Sequence, residues 1–358
     1  MRLDDPEPAA PRQAPCRWPT CKLTAETGCL SVAAIWVVIA HGNPPADGDA
    51  SPADCGHPFK VVSSSWFGCS SPPKTVGKFA RSAAQVLHGI CPVPNIEDTM
   101  KLLIEAELVY NFANDTQVIA NLEASRTSDQ IILSETLDIQ PPTKILSDTT
   151  SYGDRSIRAS LSGDVTIRYT AVVENNLRQL LPQSGLQHVW SDLPSEVLPF
   201  LLPSRFCPSD KFMRFAQREF AGAGDGVAQV MSILEWIHRN VDYVAGVSDA
   251  ETTAERTFVD RAGVCRDFTH LGITLARALG TPARAVSAYA LQLDPPDFHA
   301  IFEVYIENGW WLIDPTRLAP IEGIVRIGSG RDASDIAFLT SDKQCQVIRQ
   351  TIQVSEAS

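Results

Sequence analysis

A thiol, an imidazole and a carboxylate, in the order Cys265, His299 and Asp314, are the residues of this chain whose types and spacing could do chemistry. A thiol nucleophile needs a base within hydrogen-bond reach, and that base needs a third group to fix its tautomer and ring orientation. The reaction open to such a set is attack on a carbonyl carbon through a thioester.

The elements that must position them are legible on either side. RAGVCRDFTHLGITLARALG, residues 261–280, reads as a loop ending in Cys265 at the first turn of an apolar helix that stops at Gly280, before Thr281 and Pro282. A thiol at a helix N-terminus faces unpaired backbone N–H groups and the positive end of the helix dipole, which favour thiolate over thiol. Downstream, DFHAIFEVYIENGWWLIDPTRLAP places His299 at the opening of a strand-like run over 300–306, a turn at Asn308-Gly309, and a second strand over 310–313 that ends at Asp314 and Pro315. His299 and Asp314 then lie on neighbouring strands, and Pro315 leaves the carboxylate at a rim. The backbone N–H of Cys265 and the hydroxyl of Tyr243 are candidate donors to a developing oxyanion. His270 follows Cys265 by more than one helical turn, so it is expected in the core or in support of the site.

With TTAERTFVDRAGVCRDFTHLGITLARALGTPARAVSAYA, a histidine at the start of a strand, GWWLIDPT and the later GSGRDASDIAF in view, residues 225–340 resemble the transglutaminase-like superfamily in its bacterial form. The resemblance maps the family's triad onto Cys265, His299 and Asp314, and Asp267 and Arg284 match positions that recur in the pattern, Asp267 as a supporting residue. One departure is Ile301, where an aromatic commonly follows the His-Ala pair, which alters the local pocket wall. The implied fold is α+β, with a papain-like catalytic core of helices packed on an antiparallel sheet, preceded by a small β-sandwich. The implied activity is hydrolysis of peptide or amide bonds by a cysteine peptidase or amidase, with acyl transfer to an amine as the alternative. A non-catalytic peptide-binding module would ordinarily have lost the nucleophile or the base, and both are present.

The 358 residues, 44% of them apolar, suffice for more than one core, and the net charge of −12 without a dense Lys/Arg cluster excludes a polyanion-binding face. No nucleic-acid partner is expected, and no membrane; the expected partner is a peptide or protein substrate. No calcium loop and no close ligand pair occurs, so neither a metal nor a cofactor is expected.

Residues 1–99 hold 13 of 25 prolines and six of nine cysteines without sustained periodicity, and are expected to be largely disordered or foreign to the working protein. A disulfide or zinc module is disfavoured because the six cysteines form no CxxC pair and His41, His57 and His88 complete no zinc spacing. The apolar run 30–40, LSVAAIWVVIA, has the length of an export-signal core and is too short to span a bilayer. The 29 residues before it carry Asp4, Asp5, Glu7 and Glu26, which is long and acidic for a leader. A cytoplasmic location is expected, with export kept open by that run. The preferred reading is an over-extended frame before a start at Met100, where MKLLIEAELVYNF switches a strand pattern on.

Residues 100–175 read as an antiparallel β domain, with runs at 130–139, 144–146, 156–161 and 165–173 separated by turns at Asn114-Asp115, Tyr152-Gly153-Asp154 and Ser162-Gly163-Asp164. Residues 176–208 read as an ordered linker, and 209–358 as the catalytic domain. That domain opens with one helix capped by Ser209 and a second capped by Asp225, the second turning Val227, Val230, Met231, Leu234 and Ile237 inward. Cys207 is expected in packing and His238 on the surface.

Overall fold

The computed structural model describes residues 37–39, 100–175 and 178–357; the remaining expectations about residues 1–99 lie outside them. The elements in chain order are β1 (Val37–Ile39), β2 (Lys101–Ala120), β3 (Ile131–Gln140), β4 (Leu146–Thr149), β5 (Arg155–Glu174), α1 (Met213–Phe220), α2 (Val227–Asn240), β6 (Asp242–Tyr243), α3 (Ala254–Asp260), β7 (Ala262–Gly263), α4 (Cys265–Ala278), β8 (Ala283–Ala290), β9 (Phe298–Ile306), β10 (Gly309–Ile313), β11 (Ile324–Gly330), β12 (Leu339–Ser341) and β13 (Cys345–Glu356).

Strict alternation builds the first sheet. Leu102, Ile104, Ala106, Leu108, Tyr110 and Phe112 of β2 are all buried, as are Ile167, Tyr169, Ala171 and Val173 of β5. The expected turns at Asn114-Asp115 and Ser162-Gly163-Asp164 do not break the strands. They are opposed irregularities inside two 20-residue strands, where the register jumps from Phe112↔Gly163 to Thr116↔Leu161. Asp115 and Gly163 take φ of 52° and 68° there, and Thr116 and Val118 beyond the jump remain buried. A bulge absorbs the same turn-prone residues while keeping the inward face in phase.

The seven-stranded sheet runs β1-β12-β2-β5-β3, with β13 also on β2 and β4 also on β5. β12 and β13 thus return to the sheet begun by β2, so the expected boundary between 208 and 209 does not separate the sheets. Local alternation identifies these strands and says nothing about their partner.

The second sheet is antiparallel in the order β10-β9-β8-β11. One face receives α4 through Ala283, Ala285, Phe302, Val304, Ile306 and Ile313. Every residue of α4 is buried, which explains why a segment with Gly272, Thr269 and Thr274 is helical: packing overrides propensity. Gly272 allows the close approach, since a Cβ there would lie 2.7 Å from the Phe302 ring. Burying that ring stabilises the fold by about 2–3 kcal/mol. Tyr289, Phe298, Val325 and Ile327 join the core of the first sheet, and the Tyr289 hydroxyl donates to the Leu122 carbonyl at 2.7 Å.

Around α4 the expected caps shift. Ser209 begins a 3₁₀ turn and α1 starts only at Met213, while Asp225 accepts from the Gly226 N–H one residue before α2. Met231 is 48% exposed rather than inward, and His238 is exposed as expected. The β9–β10 hairpin turns on Glu307 and Asn308, both with positive φ (51° and 61°), and Gly309 already pairs with Ile306. The two-residue loop is therefore one position earlier than the Asn-Gly signal suggests. Among the described residues no helix is long and apolar enough to cross a membrane.

Candidate active site

The loop before α4 is fixed from within. Asp267, fully buried, accepts from the Val264 N–H at 2.8 Å, and its own N–H donates to the Val264 carbonyl at 2.9 Å. This reciprocal cap sets the backbone that presents Cys265. A Cβ on Gly263 would meet the Asp267 Cβ at 2.6 Å, so the cap closes only over a glycine. Asp267 therefore touches the backbone around the thiol.

β6 and β7 pair in parallel, Tyr243 with Gly263, and the Val244 N–H reaches the Gly263 carbonyl at 2.9 Å. Two residues of pairing suffice to lay Tyr243 beside Cys265. Desolvation foremost, then the charge of Cys265, pushes the Tyr243 phenol well above its usual range; the Cys265 backbone N–H bonds its oxygen and opposes, while the charge of Asp297 adds to the rise. The hydroxyl stays protonated and sits at the thiol and at the first N–H of α4.

His299 is the second residue of β9, and Asp314 directly follows β10. Ile313 pairs with Phe302, so the two side chains are diagonal neighbours on one face, and His299 Nε2 lies 3.0 Å from Asp314 Oδ2. Because a carboxylate only accepts, Nε2 carries the proton and Nδ1 is left for the thiol. Burial alone would lower the His299 pKa; the Asp314 hydrogen bond, the Cys265 side chain and their charges more than offset it and raise it to about 10.

Asp314 is held below the usual carboxylate range. Burial opposes this, but the His299 hydrogen bond and charge and the Thr316 hydroxyl and N–H prevail. Thr316 donates to Oδ1 from its N–H and hydroxyl at 2.9 and 2.6 Å, and the Leu318 and Ala319 N–H groups reach Oδ2 at 3.2 and 3.1 Å. The loop after Pro315 thus wraps the carboxylate. Ile301, which the departure in the pattern singled out, is fully buried with Leu312 and Ala319 beneath this loop.

Sequence reasoning missed Asp297. Its Oδ1 accepts from the Phe298 N–H at 2.7 Å and from Gln350 Nε2 of β13 at 2.6 Å, and its charge acts on both Tyr243 and His299. Nothing local in the sequence pairs residues 297 and 350. His270 belongs to another neighbourhood: it stacks on Phe206 at 5.1 Å and accepts from the Ala333 N–H at 3.1 Å. Burial pushes its pKa down to about 3, so it is a neutral core residue. Cys207 is buried with its thiol pushed up to about 12, as packing requires, and Cys345 is partly buried on β13.

The arrangement joins a thiol, a paired imidazole, an orienting carboxylate and two donors, N–H and O–H, beside the sulfur. Residues 214–315 match the profile of the Transglutaminase-like superfamily, and residues 100–190 that of the bacterial transglutaminase N-terminal domain. The solved structure of a protein described as a candidate cysteine protease from Cytophaga hutchinsonii is 37% identical, covers 73% of this chain and 92% of its own, and has a TM-score of 0.69. An uncharacterized protein of Mycobacterium leprae is 26% identical over 193 residues, which are 49% of this chain and 67% of the relative. One from Mycobacterium bovis is 25% identical over 143 residues, 36% of this chain and 46% of that protein's length.

Proposed function

Since this chain belongs to the transglutaminase-like superfamily, we propose that it is a thiol-dependent acyl-transfer enzyme that hydrolyses peptide or amide bonds, with Cys265, His299 and Asp314 as its triad. The observation that carries the reading is the His299–Asp314 pair at 3.0 Å, whose remaining ring nitrogen is left for the thiol at the head of α4. The cysteine protease description of the 37% identical structure supports the same chemistry.

In the proposed reaction the Cys265 sulfur attacks the carbonyl carbon of a peptide or glutamine amide, its proton having passed to His299. The oxyanion is held by the Cys265 N–H, which turns to it from the Tyr243 oxygen, and by the Tyr243 hydroxyl. The His299 imidazolium then protonates the departing nitrogen as the C–N bond breaks, leaving a thioester. Water, losing a proton to His299, attacks the thioester and releases a carboxylic acid and the thiol. Asp314 keeps the ring oriented and stabilises the imidazolium throughout.

The acceptor is tested in one assay: a glutamine-containing peptide is incubated with and without a dansylated alkylamine, and products are weighed by mass spectrometry. Conversion of amide to acid supports hydrolysis, and the amine adduct assigns the transfer reaction instead. Activity retained by Cys265→Ala would end the proposal.

A further inference from the structure

The face of the second sheet that carries His299 becomes charged further along the strands. Arg284 of β8 and Glu303 of β9 lie opposite each other and pair, Nε to Oε2, at 2.6 Å. Arg326 of β11 takes the other oxygen of Glu303 at 2.9 Å and both oxygens of Asp129 at 2.7 and 2.6 Å, and Arg178 reaches Asp129 at 3.1 Å. Burial would raise the Glu303 carboxyl, but Arg284 and Arg326 hold it below its ordinary range, so it is ionised. Three guanidinium groups thus face two carboxylates in the cavity wall. Asp154 also feels Arg284, but its oxygens are taken by Ser125, by the Ser329 hydroxyl and by the Ser329 N–H.

These five groups line a cavity of about 500 Å³ with Trp310 and Trp311 in its wall. Arg284 spends only its Nε on Glu303. Its two terminal amino groups donate to no described residue, although the side chain is 90% buried. The guanidinium lies over the Trp310 ring at 4.2 Å, and that ring is braced by Phe200 and Tyr305, each at 5.3 Å. A planar cation with its face covered by an aromatic ring and its outer edge unused offers parallel N–H donors, the complement of a carboxylate. Glu303 and Asp129 stand beside the fork and repel a dianion, which disfavours phosphate. The indoles suit a small organic group attached to the acid.

We infer that this cavity is a carboxylate-binding site, with Arg284 as the fork and the two tryptophans as walls, and that its ligand is the terminal carboxylate of a short peptide. Glu303 is four residues beyond His299 on the same strand face, about 13 Å away, so the site is separate from the reacting groups and does not depend on the reaction proposed for them.

Isothermal titration of the full chain carrying Cys265→Ala, which prevents turnover, tests the inference with three probes: acetyl-Ala-Ala with a free carboxylate, the same peptide as its amide, and inorganic phosphate. The acid is expected to bind at least tenfold more tightly than the amide, as loss of a bidentate charge-assisted pair dictates. Arg284→Lys should remove most of that preference, because an ammonium lacks the fork, with near-UV circular dichroism confirming the fold. Should that variant not fold, Trp310→Leu, which leaves the ion pairs in place, should weaken the acid severalfold. Equal binding of acid and amide, binding of neither, tighter binding of phosphate, or indifference of the acid to both variants would overturn the inference.

Discussion

Replacing Asp314 by Asn keeps the volume of the side chain and removes one charge from the pair that orients His299. The native carboxylate accepts from His299, twice from Thr316, and from the Leu318 and Ala319 N–H groups. An amide has one acceptor oxygen, and its NH₂ must then point at groups that also donate. A hydrogen bond to a charged partner contributes about 1.5–3 kcal/mol, so its loss alone lowers kcat/KM by roughly 10- to 150-fold. If the amide also forces the opposite tautomer, the loss extends to about 10⁴-fold. The pH dependence gives the sharper readout. The His299 pKa is raised from 6.5 to about 10, so its protonated form is fully stabilised below the ordinary value and lost as pH rises through about 10. Without the carboxylate charge only Cys265 is left to oppose burial, and the alkaline limb of the kcat/KM profile moves to lower pH. Initial rates on a glutamine-containing peptide between pH 5 and 11 measure both effects. An Asp314→Asn enzyme with more than half the native kcat/KM and an unmoved alkaline limb would refute the assigned role.

Three further outcomes are expected. Tyr243→Phe removes one of the two proposed oxyanion donors and should lower kcat about 10²-fold with little change in KM, measured by steady-state kinetics. Glu303→Ala leaves the buried Arg284 without its carboxylate partner, while Arg326 keeps Asp129, and should cost about 3–5 kcal/mol in urea unfolding. Gly263→Ala drives a Cβ into Asp267 and should cost about 1–3 kcal/mol, with slower alkylation of Cys265 by iodoacetamide as the cap on its loop opens.

The residues proposed to react were legible because each sits at the end of a local pattern: Cys265 at the head of an apolar helix, His299 and Asp314 at corresponding ends of a hairpin. Tyr243 could be named from its place upstream, and the short pairing of β6 with β7 gives the physical reason it reaches the sulfur. The turn residues at 114–115 and 162–164 misled, because Asn, Asp and Gly with positive φ serve bulges as well as reversals. Met231 shows the limit of a helical stripe, since the 3.6-residue period identifies a face and not how far its neighbours extend over it. The Asp297–Gln350 contact and the five-member ion chain join residues from separate elements, and no periodicity encodes which strand meets which.

The pairing of β13 along β2 sets the order in which the molecule can be completed. Arg349 and Glu107, which bond across these two strands, are 242 residues apart in sequence. Such distant partners make assembly slow compared with helix formation. Gln350 on that same strand donates to Asp297 beside His299, so the proposed reaction centre draws part of its support from the far end of the sheet. A chain in which β13 has yet to be made would carry the thiol without that support.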